Sequence, residues 1–384
     1  MPNILEVIYA PHKAFKKIAE KPSYIGPTII IVILAVASLG SAYVVASKTY
    51  VEASVPNGLV VQDEWTQNST LWVSNGSPPS ESNDSISGLY YGNSSIAFTV
   101  TNSTQIWMWL NNIGPVNCSS QGGFNQISFR LKQLSPQDEP QKASISLFSA
   151  NTSDYFFYDF TQYVSNSTVN TWNNLTLPVV SGWLANGANA DWSQITGLKL
   201  EFDWTNNSNT TMLVDGLFFH GGVYLSGLEI GGTSYMINNA LASGMTFVVS
   251  WVVFAGLLFL LGKNMGGKVV WKLILVAVGF ILITMVVQTI INIASYTTLF
   301  NAKYPFAYMV GVLGEGTAEG NLISEQNALV GLIDTVTQLG IWVWTGVLGA
   351  ALLHFTAELS WAKSVLASGA AYLIRILLYL FFRF

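Results

Sequence analysis

The spacing of apolar and polar positions changes character along the chain. Five stretches are almost continuously apolar: Pro27 to Ser47, Met236 to Leu261, Val269 to Leu299, Ala328 to Leu353 and Trp361 to Phe382. Each supplies the ~20 residues an α-helix needs to cross a bilayer's hydrocarbon core, so each is predicted as a transmembrane helix. Between the first two, residues 48–235 hold no convincing helical run. From Phe124 onward that segment alternates with period two. Ile127, Phe129 and Leu131 come first, then Ile145 and Leu147, and later Leu198, Leu200, Phe202 and Trp204 against Lys199, Glu201 and Asp203. Side chains on a strand point alternately to opposite faces, so this pattern, cut by Asn, Ser and Gly turns, predicts an all-β sandwich. The predicted fold class is α+β and multi-domain: a five-helix transmembrane bundle with a β-sandwich ectodomain inserted between helices 1 and 2. Residues 1–26 form an N-terminal segment, and 300–327 a loop between the third and fourth helices.

Lysines set the expected orientation. Lys13, Lys16, Lys17 and Lys21 precede the first apolar run, and Lys263, Lys268 and Lys272 surround the loop between the second and third. Positive residues favour the cytoplasmic side, which places residues 48–235 and the C-terminus outside, with Arg383 dissenting. The first run is of span length and lacks a processing site, so it is expected as a retained signal anchor. Ahead of it, Ile4, Leu5, Ile8, Phe15 and Ile18 interleave with lysines, the spacing of an amphipathic helix at a membrane interface or of a solvated arm.

Composition agrees with a membrane body. The chain of 384 residues is 51% hydrophobic and only 10% charged, against about 25% charged in soluble domains. A net charge of −5 gives no basic stripe, so nucleic acid is not an expected partner. The single cysteine, Cys118, excludes an intrachain disulfide; it is expected on a surface loop, with nothing nearby to activate it.

Eleven Asn-x-Ser/Thr sequons begin at Asn68, Asn75, Asn83, Asn93, Asn102, Asn117, Asn151, Asn166, Asn174, Asn206 and Asn209. Such acceptors need exposure to a glycosylating compartment, the side the lysines also indicate. N-linked glycans at these sites would leave little bare surface. Gly122 to Ala150 has no sequon and carries Arg130, Lys132 and Lys142; it is either a face kept open for a partner or a set of inward strands.

Two families resemble parts of this pattern. Ala10-Pro11, Ala14-Phe15, Ile18 and Lys21-Pro22 before a span, Leu261-Gly262 and Gly266-Gly267-Lys268, and Trp342, Gly346 and Trp361-Ala362-Lys363 together resemble the Yip family of five-helix membrane proteins over about 200 residues. That resemblance implies a membrane-organising or transport role, although the large insertion departs from the family's short loop. Trp172-x-x-Leu175-x-Leu177-Pro178, then Trp183, Asp191-Trp192-Ser193-x-Ile195-x-Gly197-Leu198-x-Leu200-x-Phe202 and Leu213-Val214-Asp215-Gly216-Leu217-Phe218-Phe219 resemble the closing strands of galactose-binding-like jelly rolls, the fold of many carbohydrate-binding modules. It implies glycan binding, and a structural calcium at Asp215. The lack of disulfides, the sequons and a Tyr-, Thr- and Asn-rich composition resemble cell-surface proteins of archaea; a eukaryotic endomembrane origin stays open.

Candidate chemistry is sparse. Trp107 and Trp109 stand two apart and would share one strand face, as a platform for sugar rings or as core. Trp172, Trp183 and Trp192 are read as core. In the apolar runs, Gln288 and Asn292 sit near the outer end of the third, Asp334 near the outer end of the fourth, and Arg375 inside the fifth, where an ion pair with Asp334 is expected. His354 and Glu358, one turn apart, are a metal or proton-relay pair or an interfacial anchor. Ala37-x-x-x-Ser41 and Gly346-x-x-x-Ala350 are read as close-packing motifs. Zinc-protease, P-loop and nucleophile-elbow motifs are missing, and Asp203 with Asp215 offers only a weak glycosidase pair. No enzyme activity is expected. The preferred expectation is a non-catalytic surface glycoprotein binding glycan or an envelope partner, as an accessory subunit or homo-oligomer. The alternative gives the work to the membrane body, with the β domain as its cap.

Overall fold

A computed structural model describes residues 4–165 and 168–382. The chain divides into two compact units. Met1–Thr49, Ser226–Ala302 and Ser324–Phe384 form one; Tyr50–Leu225 and Lys303–Ile323 form the other.

Among the described residues, five helices are long and apolar enough to cross a membrane: Ile25–Ser47, Gly227–Asn264, Trp271–Thr298, Thr317–Ala357 and Trp361–Leu378; they belong to the first unit save for the start of the fourth, up to Ile323. The second starts well before its apolar core because Ser226 and Glu229 make a capping box, with the Ser226 N–H and hydroxyl donating to Glu229 Oε2 at 2.7 and 2.8 Å. The third is the central element, the most deeply buried of the five. Its helical geometry is interrupted at Leu282.

Packing in this unit uses small residues, but not all at the expected register. On the first long helix the buried stripe is Ile30, Leu34, Ser38, Ala42 and Ala46, one position away from Ala37 and Ser41. Gly279 shows why bulk is excluded: a Cβ there would lie 2.6 Å from the Pro27 ring. Between the fourth and fifth helices, Ser368 Oγ donates to the Gly346 carbonyl at 2.6 Å. The N-terminal helix Pro11–Glu20 buries Ala14, Phe15 and Ile18 against the bundle core while Lys13, Lys16 and Lys17 stay exposed. That is the amphipathic division its spacing predicts.

The second unit is a two-layer antiparallel β-sandwich. Its strands are β1 (Trp72–Ser74), β2 (Ser80–Ser82), β3 (Ser95–Val116), β4 (Gln126–Ser135), β5 (Lys142–Ser149), β6 (Asn151–Asp159), β7 (Asn173–Pro178), β8 (Leu184–Asn186) and β9 (Ile195–His220). The long strands β3 and β9 run through both layers. Their outer halves, Gln105–Val116 and Ile195–Asp203, pair with each other and with β1 and β5, and the layer continues through β6 and β8. Their other halves, Ile96–Val100 and Thr210–Val214, pair with each other, with β2 and with β4, which in turn pairs with β7. Between the layers Ile106, Met108, Leu110, Ile145, Leu147, Leu198, Leu200 and Phe202 meet Ile96, Phe98, Ile127, Phe129, Leu131, Met212 and Val214 in one core. Cys118 belongs to this core rather than to the surface, and burial pushes its thiol up to about 12. Its sequon neighbour Asn117 points outward.

The two outer faces of the sandwich differ. That of the second layer is covered by residues 84–94 and by Lys303–Ile323, most of the segment expected to be a loop. Tyr90, Tyr91 and Phe218 cluster with Phe306 and Val310. Arg130, only 4% exposed, donates to both carboxylate oxygens of Glu315 at 2.9 and 2.6 Å and to the Tyr91 hydroxyl at 2.8 Å. Glu52 accepts the Phe306 N–H at 2.8 Å and contacts His220 Nδ1 at 3.1 Å, while the Phe306 ring stacks on the imidazole. Burial works against ionisation of Glu52, but the His220 bond and the Phe306 N–H outweigh it and hold the carboxyl below its usual range.

Candidate functional site

The outer face of the first layer is built from the alternate positions that do not enter the core. Along β3, Ile106, Met108 and Leu110 point inward, so Gln105, Trp107 and Trp109 point outward. On β9 the same rule turns Lys199, Glu201 and Asp203 outward. Register then places Trp107 beside Glu201 and Trp109 beside Lys199 on one side, with Ser144, Ser146 and Lys142 beside Glu201, Lys199 and Asp203 on the other. The next strand adds Tyr155 opposite Phe148 and Phe157 opposite Ser146.

These rows make an aromatic frame around a polar centre. Trp109 packs on Phe148 with ring centroids 5.4 Å apart, and Phe148 on Tyr155 at 5.8 Å. At the centre, Gln105 Nε2 donates to Glu201 Oε1 at 3.0 Å and to Asp203 Oδ1 at 2.8 Å, and Lys199 pairs with Glu201. Lys142 stands over the Phe157 ring at 5.6 Å. The indole Nε1–H of Trp109 is shielded from solvent and meets no acceptor among the described residues. Carboxylates, an amide and ring faces together recognise a ligand that is rich in hydroxyls and carries apolar C–H surfaces.

Trp107 and Trp109 thus lie on the open face and outside the buried core cluster. Trp183 and Trp192 pack at the margin of that core, and Trp192 stacks on Phe156 at 3.7 Å. Trp172 is further out, with its Nε1–H donated to Asp84 at 3.2 Å. The alternation that reveals a strand at Lys199, Glu201 and Asp203 also placed them on one face; only the pairing of β9 with β3 and β5 shows that this face holds the tryptophans.

The proposed partner stretch from Gly122 to Ala150 divides. Lys142 is exposed and borders the open face. Arg130 is a correction: the Tyr91 and Glu315 contacts enclose it, because β4 lies on the covered layer. Lys132 is likewise engaged, 2.6 Å from Asp84.

Ten sequon asparagines, Asn68, Asn75, Asn83, Asn93, Asn102, Asn117, Asn151, Asn174, Asn206 and Asn209, are exposed; Asn166 lies outside the described residues. None occupies the strand positions that form the aromatic and polar rows. Asn75 is nearest, bonded through its amide to the Gln105 carbonyl and the Trp107 N–H at 3.0 Å each.

Asp215 is fully buried, as is Asp63. Its Oδ1 accepts the Gly216 N–H at 2.8 Å and its Oδ2 the Ile86 N–H at 2.8 Å. Beside it Asp63 accepts the Gly92 N–H at 2.7 Å and the Thr66 hydroxyl at 2.9 Å. Calcium takes about six to eight oxygen ligands, and each of these carboxylates already accepts hydrogen bonds from N–H or O–H donors. Burial first, and then the bond and charge of Asp63, push the Asp215 carboxyl up to about 8. Asp215 is fully buried in the second layer while Asp203 faces outward from the first, so they form no glycosidase pair.

In the helical unit the expected Asp334–Arg375 ion pair is not made. Asp334 accepts the Tyr296 hydroxyl at 2.8 Å, and Arg375 donates to Ser250 Oγ at 2.6 Å. Asn292 buries its Oδ1 without a donor among the described residues, while Gln288 lines a cavity. His354 and Glu358 do not converge on a metal. The helix ends at Ala357 and Glu358 takes a φ of +59°, which breaks the one-turn register. His354 Nδ1 instead lies 2.7 Å from the Leu359 carbonyl, and Glu358 pairs with Lys268 at 2.7 Å.

No family model matches the chain, nor does any curated protein. Among solved structures it is similar to a family 11 carbohydrate-binding module from Clostridium thermocellum, in complex with a β-1,3-1,4-mixed-linked tetrasaccharide. Identity is 16%, coverage 41% of this chain and 92% of that one, and the TM-score 0.28. The family 30 module of a cellulosomal cellulase of Clostridium thermocellum is similar at 11% identity, over 41% of this chain and 91% of the module, with a TM-score of 0.27. A β-1,2-glucanase from Parabacteroides distasonis is similar at 13%, over 40% of this chain but only 24% of the enzyme, with a TM-score of 0.29. At these identities and scores the likeness assigns neither ligand nor activity.

Proposed function

We propose that this chain is a non-catalytic, membrane-anchored surface protein whose β-sandwich binds glycan on the outer face of its first layer. The observation that carries this reading is that face: Trp107, Trp109, Phe148 and Tyr155 framing Gln105, Glu201 and Asp203, with no sequon asparagine on its rows. Ring faces pack against the C–H surfaces of a pyranose, and carboxylate and amide oxygens accept from its hydroxyls. Membrane anchoring is supported by the five apolar helices, and an external sandwich by the lysines flanking them. N-linked glycans at the exposed sequons would shield the other surfaces.

The test is retention of the detergent-solubilised full chain in native gels containing soluble polysaccharides. Against the polysaccharide that retards wild type most, Trp109→Ala is expected to weaken retention about tenfold, equivalent to ~1.4 kcal/mol. Wild-type mobility unchanged by every polysaccharide, or a Trp109→Ala protein retained like wild type, would count against the reading.

A further inference from the structure

The helical unit contains a cavity of about 340 Å³. Thr246, Gln288, Gln338, Thr345, Tyr372 and Arg375 contribute its polar side, and most of the remaining wall is apolar. Arg375 enters this space from the fifth helix. Its Nη2 reaches the neutral hydroxyl of Ser250 at 2.6 Å, and its guanidinium lies 5.0 Å from the centre of the Tyr372 ring. Its Nε is buried and meets no acceptor among the described residues. No carboxylate among them pairs with it; Asp334 accepts from Tyr296 through Oδ2, and its Oδ1 is buried without a partner among the described residues. A cation among membrane-spanning helices is costly unless something balances its charge.

We propose that this cavity is a binding site for one anionic oxygen group, a phosphate or carboxylate, held by Arg375. A guanidinium presents its donors in a planar fork that matches such groups. Gln288, Gln338 and Thr246 supply further hydrogen bonds to the same group. The volume exceeds that of a bare phosphate, and the apolar wall accommodates adjoining carbon chain. The ligand class is therefore an acidic amphiphile entering from the bilayer, with a free anion as the other source of the same chemistry. The inference rests on the membrane reading above and is independent of glycan binding.

The full chain would be placed in phosphatidylcholine nanodiscs doped with phosphatidylglycerol, and the lipids that stay bound read by native mass spectrometry. Wild type is expected to retain phosphatidylglycerol in preference to phosphatidylcholine. Arg375→Gln should lose that preference about tenfold. Thr246→Phe keeps the guanidinium but fills the cavity, and should lose it as well, which decides the matter even if Arg375→Gln fails to fold. A second arm adds inorganic phosphate to lipid-free micelles: a raised melting midpoint in wild type alone, without lipid preference, assigns the site to a free anion. Wild type and both variants behaving alike in both arms overturns the site. Recovery of the chain without detergent would instead overturn the membrane reading.

Discussion

The β-sandwich should lose stability as pH rises from about 4 to 8, and Asp63→Asn should reduce that dependence, leaving the part that burial of Asp215 causes. In the unfolded chain Asp215 ionises near its ordinary 3.8, whereas in the fold it keeps its proton to about 8. The fold thus binds one more proton than the unfolded chain inside this window. Stability is fully present below the lower value and is lost as pH passes the upper one. The difference corresponds to on the order of 5 kcal/mol, a large share of a domain's usual ~5–15 kcal/mol. The Asp63→Asn amide keeps an oxygen for the Gly92 N–H and gives Asp215 a donor in place of a competing charge. Urea midpoints of the full chain in detergent, followed by tryptophan fluorescence at about pH 5 and pH 9, would show this. A pH-independent wild type, or an unchanged slope in the variant, would refute the assignment.

Glu315→Ala should loosen Lys303–Ile323 from the sandwich. It strips the buried guanidinium of Arg130 of its counter-ion and leaves the Tyr91 hydroxyl as its remaining described partner. Removing one member of a buried pair costs about 3–5 kcal/mol; the Glu315 side chain is 32% exposed, so water reaches the site and about 2–3 kcal/mol is expected. Limited proteolysis should then cut within 303–323 at least tenfold faster. Adding Arg130→Met, which removes the stranded charge, should restore part of the protection. If the single variant resists protease like wild type, the ion pair does not hold this segment.

How much of this was legible in the sequence differs by element. The apolar runs needed only their length to predict five long helices, and the alternation at Leu198, Leu200 and Phe202 needed only its period to predict a strand. Arg130 shows what such local signals miss. Its partner Glu315 stands 185 positions away, in a segment whose composition reads as a loop. Asp215 was visible through its motif, but Asp63, which adds to the effect of burial on it, sits in a stretch without periodicity. Trp107 and Trp109 were found as a pair because i, i+2 spacing needs no tertiary information. Phe148, Tyr155 and the Gln105–Glu201–Asp203 group joined them only through strand register.

The most direct measurement is binding of the full-length, detergent-solubilised chain to an array of structurally diverse glycans, wild type beside the Trp107→Ala/Trp109→Ala double variant. The open-face account predicts a defined set of bound saccharides for wild type and loss of that set in the variant, with the fold intact by circular dichroism. A wild-type protein that binds nothing on the array, or a double variant that binds the same saccharides equally well, would contradict it.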